Sequence, residues 1–459
     1  MSEKNISQSV FFPEQFEKPV VVKFDEPCSS SDGGAVLLKG ADQKLNLSEK
    51  LSAILVDRRE AGKVRHTFRN LIQQRVYGLA SGYADANDAA RIGNDPVFKM
   101  LLDRSPVSGD SLSSQSTLSR FENSVGARAL FRMGEKLADT VLERHRRRLK
   151  KKVKRVTIDL DPTDDPTHGA QQQTFFNAYY DTYCYLPVMG FVSFNDEPDQ
   201  YLVAAVLRPG NAAAKDGAIA ILRRLIRLIR NKFPEAVIDV RLDGGFACPE
   251  LFDFLDDERR LEYVCGLPKN SVLAGEAEAL MKTARVLSKK REETAHVYGE
   301  CRYEAGSWDV ERRVIIKAEV TRNPGREPKD NPRFVVTNKK QKPKRIYERA
   351  YCKRGEIENR LKELHHGMEI DRTSCPKFFA NQFRVLLTAA AYALLQEIRL
   401  QARHTTLARA QVSTLREKLL KVSARIEESV RRIVIHLPAS FAYAGEWTSI
   451  ATRIGATTG

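Results

Sequence analysis

Residues 156 to 169 read VTIDLDPTDDPTHG, an apolar, β-branched run with two aspartates near its end and two more beyond a proline. Residues of this type, with period-two alternation, predict a β-strand. On a strand alternate side chains share a face, so Val153, Arg155, Thr157, Asp159 and Asp161 point one way, and Val156, Ile158 and Leu160 pack the other way. Either the strand ends in a solvated acidic turn or it holds carboxylates at a site. Asp164 and Asp165 read as turn residues, and His168 as a turn partner or a phosphate contact.

Outward from this strand the pattern is that of a mixed α/β domain. AVIDVRLDGGF (236–246) is a second alternating strand, ended by Asp243 before two glycines that let the backbone turn sharply. An acid at the carboxyl end of a strand is where open α/β folds place chemistry. Between the two strands lie the strand candidates YLPVMGFVSF and YLVAAVLRPG. An amphipathic helix, DGAIAILRRLIRLIRNKFP, follows, with Arg223, Arg224, Arg227 and Arg230 on its charged face. This order predicts a mixed central sheet with flanking helices. A third acid is expected from the helical stretch YCKRGEIENRLKELHH (351–366). There Ile357, Leu361 and Leu364 form the apolar stripe. Arg354, Glu358 and Lys362 share the adjacent face, with Tyr351 and His365 close by. Surface ion pairs are the plainer reading of that face.

The chain has 459 residues, 42% hydrophobic and 29% charged, enough for two or three domains. Residues 1–150 read as mainly helical, with a short strand pair from KPVVVKF and GAVLLKG. Residues 151–261 read as the first part of the α/β domain, and 262–340 as a mostly β insertion. The critical helix and the domain's end fall in 341–400, and a helical region in 401–459. In the N-terminal region Ser116 or Ser119 could cap a helix, Ser119 and Glu122 having capping-box spacing, or could face a phosphate with Thr117. Seven scattered cysteines without a CxxC pair suggest reduced structural thiols rather than a zinc cluster. With neither a signal-peptide layout nor a run of about 18 apolar residues, the expectation is a cytoplasmic protein without a membrane partner.

A net charge of +16 points to a polyanionic partner. The run RHRRRLKKKVKR (144–155), containing Arg148 and Lys151, directly precedes the acidic strand, and TNKKQKPKR (337–345), with Lys342, Lys344 and Arg345, directly precedes the third segment. Cations beside carboxylates suit an enzyme that cuts a polyanion. A nucleotide-dependent metabolic enzyme is disfavoured, because neither GxGxxG nor GxxxxGK[ST] occurs.

On these residues the chain resembles the DDE transposases of bacterial insertion sequences, in the branch whose third catalytic segment carries a tyrosine, arginine, glutamate and lysine signature. Tyr351, Arg354 and Glu358 match its first three members. The lysine position falls on His365, a departure from the pattern, and Lys362 one turn earlier is the substitute. Asp161 followed by Thr163 matches the family's first aspartate, and Asp243 in LDGGF the second. LSSQSTLSRFEN, YYDTYCYLPV and DRTSCPKFFANQFRVLL also resemble the family, so the similarity spans about residues 15 to 400.

The resemblance implies a ribonuclease-H-like catalytic domain interrupted by the insertion, after a helical domain that binds DNA ends. It implies that Asp161, Asp243 and Glu358 are catalytic ligands of Mg²⁺, replaceable by Mn²⁺, with two ions bound. The implied reaction is hydrolysis that exposes a 3′-hydroxyl, then joining of that end to target DNA. The implied partners are double-stranded DNA, as terminal inverted repeats and as target, and a second copy of the chain in the DNA complex. Arg354 and Lys362 would clamp phosphates. Tyr351, His365, Lys342, Lys344, Arg345, Arg148 and Lys151 are the further DNA contacts. Trp308 would stack on a flipped base, or else pack in the core. Asp159 is a second-shell residue, an alternative ligand or part of a buried network. A nuclease without strand transfer and an inactive DNA-binding descendant are the competing readings.

Overall fold

The run Arg155–Pro162 is a strand (β1) at the centre of a mixed sheet. Val156, Ile158 and Leu160 are each fully buried, and each contributes about 1.5–3 kcal/mol by leaving water. The other long strands are β2 (Val188–Phe194), β3 (Tyr201–Val206), β4 (Val237–Leu242), β5 (Leu261–Leu267), β6 (Ala295–Tyr303), β7 (Arg312–Thr321) and β8 (Arg333–Thr337). They lie in the order β6-β7-β8-β5-β4-β1-β2-β3, with the short Lys329–Asp330 strand pairing on β7. β4 runs parallel to both β1 and β5, whereas β2 and β3 return antiparallel on the other side of β1. The protein is described from a computed structural model, for residues 9–457.

The principal helices are α1 (Phe68–Ala80), α2 (Gln115–Glu122), α3 (Ala127–Leu149), α4 (Ala218–Lys232), α5 (Ser271–Arg291), α6 (Glu356–Lys362) and α7 (Phe378–Gln401). The expected mixed sheet with flanking helices is present. α7 packs against α1, α3 and β3 and so joins the N-terminal helices to the sheet. It is apolar nearly all round, which a helix can be only when it is surrounded. By length and composition it could cross a membrane, contrary to the expectation that no such run exists, yet 83% of its apolar window is buried inside the protein.

Five features differ from the sequence reading. GAVLLKG does not pair with KPVVVKF: Val20–Val22 pairs with Val10–Phe12, while Val36–Leu45 is helical. Leu37, Leu38, Ala41 and Leu45 bury one helical face, a period too long to see in seven residues. The boundary at 262 cuts through β5, a strand of the central sheet, and β6, β7 and β8 extend that same sheet through the β5–β8 pairing. The segment 401–459 is not all helix: Ala424–Glu428 and Ile433–His436 form a hairpin that also pairs with Ser29–Ser30. Alternating burial in ARIEE selects the strand there, because a partner from the N-terminal region is in place.

The cationic run at 144–155 is the fourth. Arg144 pairs with Glu397 and Arg148 with Glu197, and Arg146 and Arg147 share Glu143. Much of that charge therefore holds α3 in place. Glu122 is no capping residue. It is buried on α2 between Arg75 of α1 and Arg384 of α7, 2.9 Å from each. Ser114, rather than Ser116 or Ser119, precedes the first turn of α2, and α3 begins after Gly126. All seven cysteines are free, as expected.

Candidate active site

Parallel pairing of β1 with β4 sets Thr157 beside Asp239 and Asp159 beside Arg241, and the same register carries Asp161 and Asp243 to neighbouring strand ends. Asp161 is buried, and Asp243 begins the turn after β4, where its Oδ1 accepts the Gly245 amide at 2.9 Å. The acids stand at the carboxyl ends of adjacent parallel strands, beyond the last residues those two strands pair.

Glu358 lies on α6, directly after the turn that carries Arg354. The expected long helix is a path of different turns: Pro343–Ile346 is α-helical, Tyr347–Tyr351 and Glu363–Gly367 are wide π turns, and Cys352–Gly355 is a tight 3₁₀ turn. Such bulges in a helix often mark functional segments. Ile357 and Leu364 of the expected stripe are fully buried, while Glu358 is exposed. Arg354 Nη1 approaches Asp161 Oδ2 at 3.3 Å. Burial pushes the Asp161 carboxyl up to about 7; Arg354 pulls it down, and the charges of Asp243 and Glu358 push it further up. Three like charges thus act on one place, with a single guanidinium against them.

That imbalance is what a divalent cation relieves, and an all-oxygen donor set suits a hard ion. Among the described residues, however, no three His, Cys, Asp or Glu side chains stand close enough to cage an ion. Charge and donor type fit a metal; a closed cage is not formed around Arg354.

The neighbours have defined work. Asp159, fully buried, accepts two bonds from Arg241 at 2.7 and 2.6 Å and one from Gln200 at 2.9 Å. It is the buried-network residue of the alternatives considered for it. Burial raises its carboxyl above the ordinary range, against the pull of Arg241. His365, at the signature lysine position, bridges Thr163 Oγ1 at 2.8 Å and Asp371 Oδ2 at 3.2 Å. Lys362 remains exposed on α6. The Tyr351 ring reaches over Gly266, where an added Cβ would lie 2.7 Å from its hydroxyl, so only glycine fits beneath it.

Cations gather on both sides of the acids. Lys342, Lys344 and Arg345 line a cleft of about 750 Å³ with Arg155, Arg349 and Lys353, on the sheet face that carries Thr157 and Arg241. On the Asp243 side, Lys269, Lys317 and Arg333 line a hollow of about 500 Å³ with Tyr347 and Tyr351. The sequence reading missed this second group because its members come from three separate segments. A third groove, about 1400 Å³, lies in the N-terminal region between Arg58, Arg59, Lys63, Arg65, Arg104 and Arg120.

Two expected DNA contacts are placed elsewhere. Arg148 is mostly buried and committed to Glu197 through two bonds, at 2.8 and 2.6 Å. Trp308 is 7% exposed, packed edge-on against Phe252 and Tyr303 with the Arg312 guanidinium over its ring, so neither face is open to a base. Here the core reading holds. The Lys151 side chain lies outside the described residues. Glu363 was not foreseen: fully enclosed, it accepts from Tyr392 at 2.6 Å, Arg399 at 2.7 Å, Arg360 at 2.8 Å and the Val412 amide at 2.8 Å. It ties the end of the helical path to α7.

Comparison with known proteins gives the family of the chain. No curated protein matches the chain. Among solved structures, the chain is similar to a piggyBac transposase in a synaptic complex with hairpin DNA, at 11% identity and a TM-score of 0.40, over 98% of this chain and 85% of that one. The family model described as transposase DDE domain group 1 matches residues 12–458. The chain belongs to that family, the DDE transposases.

Proposed function

We propose that this transposase binds the terminal inverted repeats of an insertion sequence, cleaves DNA there by metal-dependent hydrolysis, and joins the exposed 3′-hydroxyl to target DNA. The observation that supports the reading is Asp161, buried at the end of a central strand, met by Arg354 at 3.3 Å and within reach of the charges of Asp243 and Glu358. The strand order β5-β4-β1-β2-β3, with its parallel and antiparallel senses, supports a ribonuclease-H-like core. The match of Tyr351, Arg354 and Glu358 to the signature supports the branch named above, with His365 in the lysine's place.

Asp161, Asp243 and Glu358 would hold two Mg²⁺ ions. When bound, such ions activate the attacking oxygen and stabilise the leaving one, so no protein nucleophile is needed. The chain's own residues position the DNA. Arg354 offers a planar, permanently charged donor fork, and in the loaded site it turns from Asp161 to a phosphate. His365 holds the loop after β1 through Thr163 and so fixes where Asp161 points. Lys342, Lys344, Arg345 and Lys362 attract backbone phosphates on one side, and Lys269, Lys317 and Arg333 on the other. The Arg58 to Arg120 groove receives the terminal repeat, and a second copy of the chain brings the other end.

The test is cleavage and joining of a labelled duplex bearing the element's terminal repeat, in Mg²⁺, Mn²⁺ or EDTA, by wild type and Glu358→Gln. Metal-dependent nicking and joining, lost in the variant while DNA binding persists, is the expected result. Cutting without joining would favour a nuclease. Binding without cutting would favour an inactive descendant.

A further inference from the structure

Between Arg155 and Arg208 the chain contains no lysine or arginine, an unusual gap in a protein of charge +16. Within this gap, between β1 and β2, a small three-stranded sheet forms from Asp165–Pro166, Phe175–Asn177 and Thr182–Tyr185. Its tip exposes aromatic rings. Tyr179 is 88% exposed, Tyr183 60%, Phe176 50% and Phe175 43%. Phe176 and Tyr183 face each other across the two strands with centroids 5.6 Å apart, and Tyr179 meets Tyr180 edge-on at 4.9 Å.

The base of this hairpin is fastened while its tip is bare. Asp165, four residues past Asp161, pairs with Tyr185, and the Thr163 amide donates to Pro187 at 3.0 Å. The Tyr185 hydroxyl donates to Gln172, the Gln172 amide to Pro376, and the Asn177 side chain to Gly210 at 2.9 Å. Gly210 lies so close to the carbonyls of Cys184 and Phe175 that no side chain fits there. Half-buried Tyr180 sits near enough to Asp164 and Asp161 to feel both carboxylates. The rings therefore stand on a fastened support that grows from the loop after Asp161, with Tyr180 the ring near enough to feel that carboxylate.

From these observations we infer that the tip, through Tyr179, Tyr183 and Phe176, is a stacking platform for unpaired nucleotides of the DNA end held at Asp161. The inference rests on the proposed function, because the carboxylate site brings the DNA there. A tip without cations and with an exposed Asp181 repels phosphates, whereas open ring faces suit bases, and stacking tolerates any base because each has a π-face. Trp308, which the sequence offered for this work, is enclosed. The rings on the hairpin that follows Asp161 offer a base leaving the duplex an open face.

The test uses the full chain and a terminal-repeat duplex carrying 2-aminopurine at its last positions. Fluorescence is read in EDTA, so that it reports unstacking without cleavage, and cleavage is then read in Mg²⁺. The variants are Tyr179→Ala with Tyr183→Ala, and Tyr179→Phe with Tyr183→Phe; both sites are exposed, so folding is spared. Wild type should change the 2-aminopurine signal on binding. The alanine pair should lose that change and cut a fully paired end slower by roughly 5- to 150-fold per base no longer stacked. The phenylalanine pair should match wild type, because it keeps the rings. An alanine pair with unaltered signal and rate overturns the inference. So does a phenylalanine pair as impaired as the alanine pair, or an effect confined to sedimentation, which would make the tip a contact between copies. A normal signal in EDTA with no cleavage by wild type in metal would count against the transposition chemistry and leave the platform standing.

Discussion

Replacing Glu122 with glutamine should weaken the attachment of the N-terminal helices to α7. Glu122, 1% exposed, receives Arg75 Nε and Arg384 Nε at 2.9 Å each, and the two arginine side chains are 4% and 10% exposed. The guanidinium groups keep other ties: Arg75 to the Ala84 carbonyl at 3.1 Å, and Arg384 to the Arg372 carbonyl at 3.2 Å and Ser374 at 2.6 Å. Those ties are to neutral groups, so the variant leaves two enclosed positive charges facing each other, with Asp85, itself paired to Arg372, acting on them only from further off. Breaking a buried pair by removing one partner costs about 3–5 kcal/mol, mainly from the charge left behind. Because both arginines are stranded here, the expected loss lies at the upper end of that range. Urea unfolding of wild type and variant measures it, and limited proteolysis should show early cutting between α2 and α3. The triple change Arg75→Met, Glu122→Leu and Arg384→Met removes all three charges and should recover most of the stability. A Glu122→Gln variant within about 1 kcal/mol of wild type, or a triple variant weaker than the single one, would refute the reasoning.

Two further changes test the fold around the site. Burial pushes the Asp165 carboxyl up to about 8 despite the Thr373 hydroxyl donating to it, whereas in the unfolded chain it titrates near its ordinary value of about 3.9. The folded state thus keeps a proton that the unfolded state releases, and this group's stabilisation is complete below pH ~4 and lost as pH rises to about 8, by about 1.4 kcal/mol per unit. Asp165→Asn should abolish that slope, so urea midpoints should favour the variant progressively from pH 5 to pH 8; a constant difference would contradict the assignment. Trp308→Ala should cost about 3–5 kcal/mol, as for other enclosed aromatic residues, and should lower the unfolding midpoint without altering the 2-aminopurine signal of bound DNA. A stable variant with a lost signal would restore the base-stacking role to Trp308.

Much of the site was legible because its parts are local. Alternation around Asp161 and Asp243 placed both acids at strand ends, and the i, i+4, i+7 spacing of Ile357, Leu361 and Leu364 turned Arg354 and Glu358 to one face. Period and turn chemistry are properties of short segments, so they survive without knowledge of the rest of the chain. The misreadings occurred where a short apolar run fits two periods. GAVLLKG became helix and ARIEE became strand, each decided by which neighbour was there to cover it. Charge shows the same limit: a run such as RHRRR reads as free cation until Glu197 and Glu397 arrive from distant segments, and Glu143 one turn back on the same helix takes Arg146 and Arg147.

The sequence by itself determined the mixed α/β class, the order of the acids and the surplus of positive charge, since these depend on residue type and spacing along the chain. Tertiary structure alone decided that Asp159 is held by Arg241, that Trp308 is enclosed, that His365 braces Thr163, and that aromatic rings stand bare at the tip of the hairpin after Asp161. Each of those depends on which side chains, remote in sequence, come within a few ångströms, because burial and pairing are set by three-dimensional neighbours and not by order in the chain.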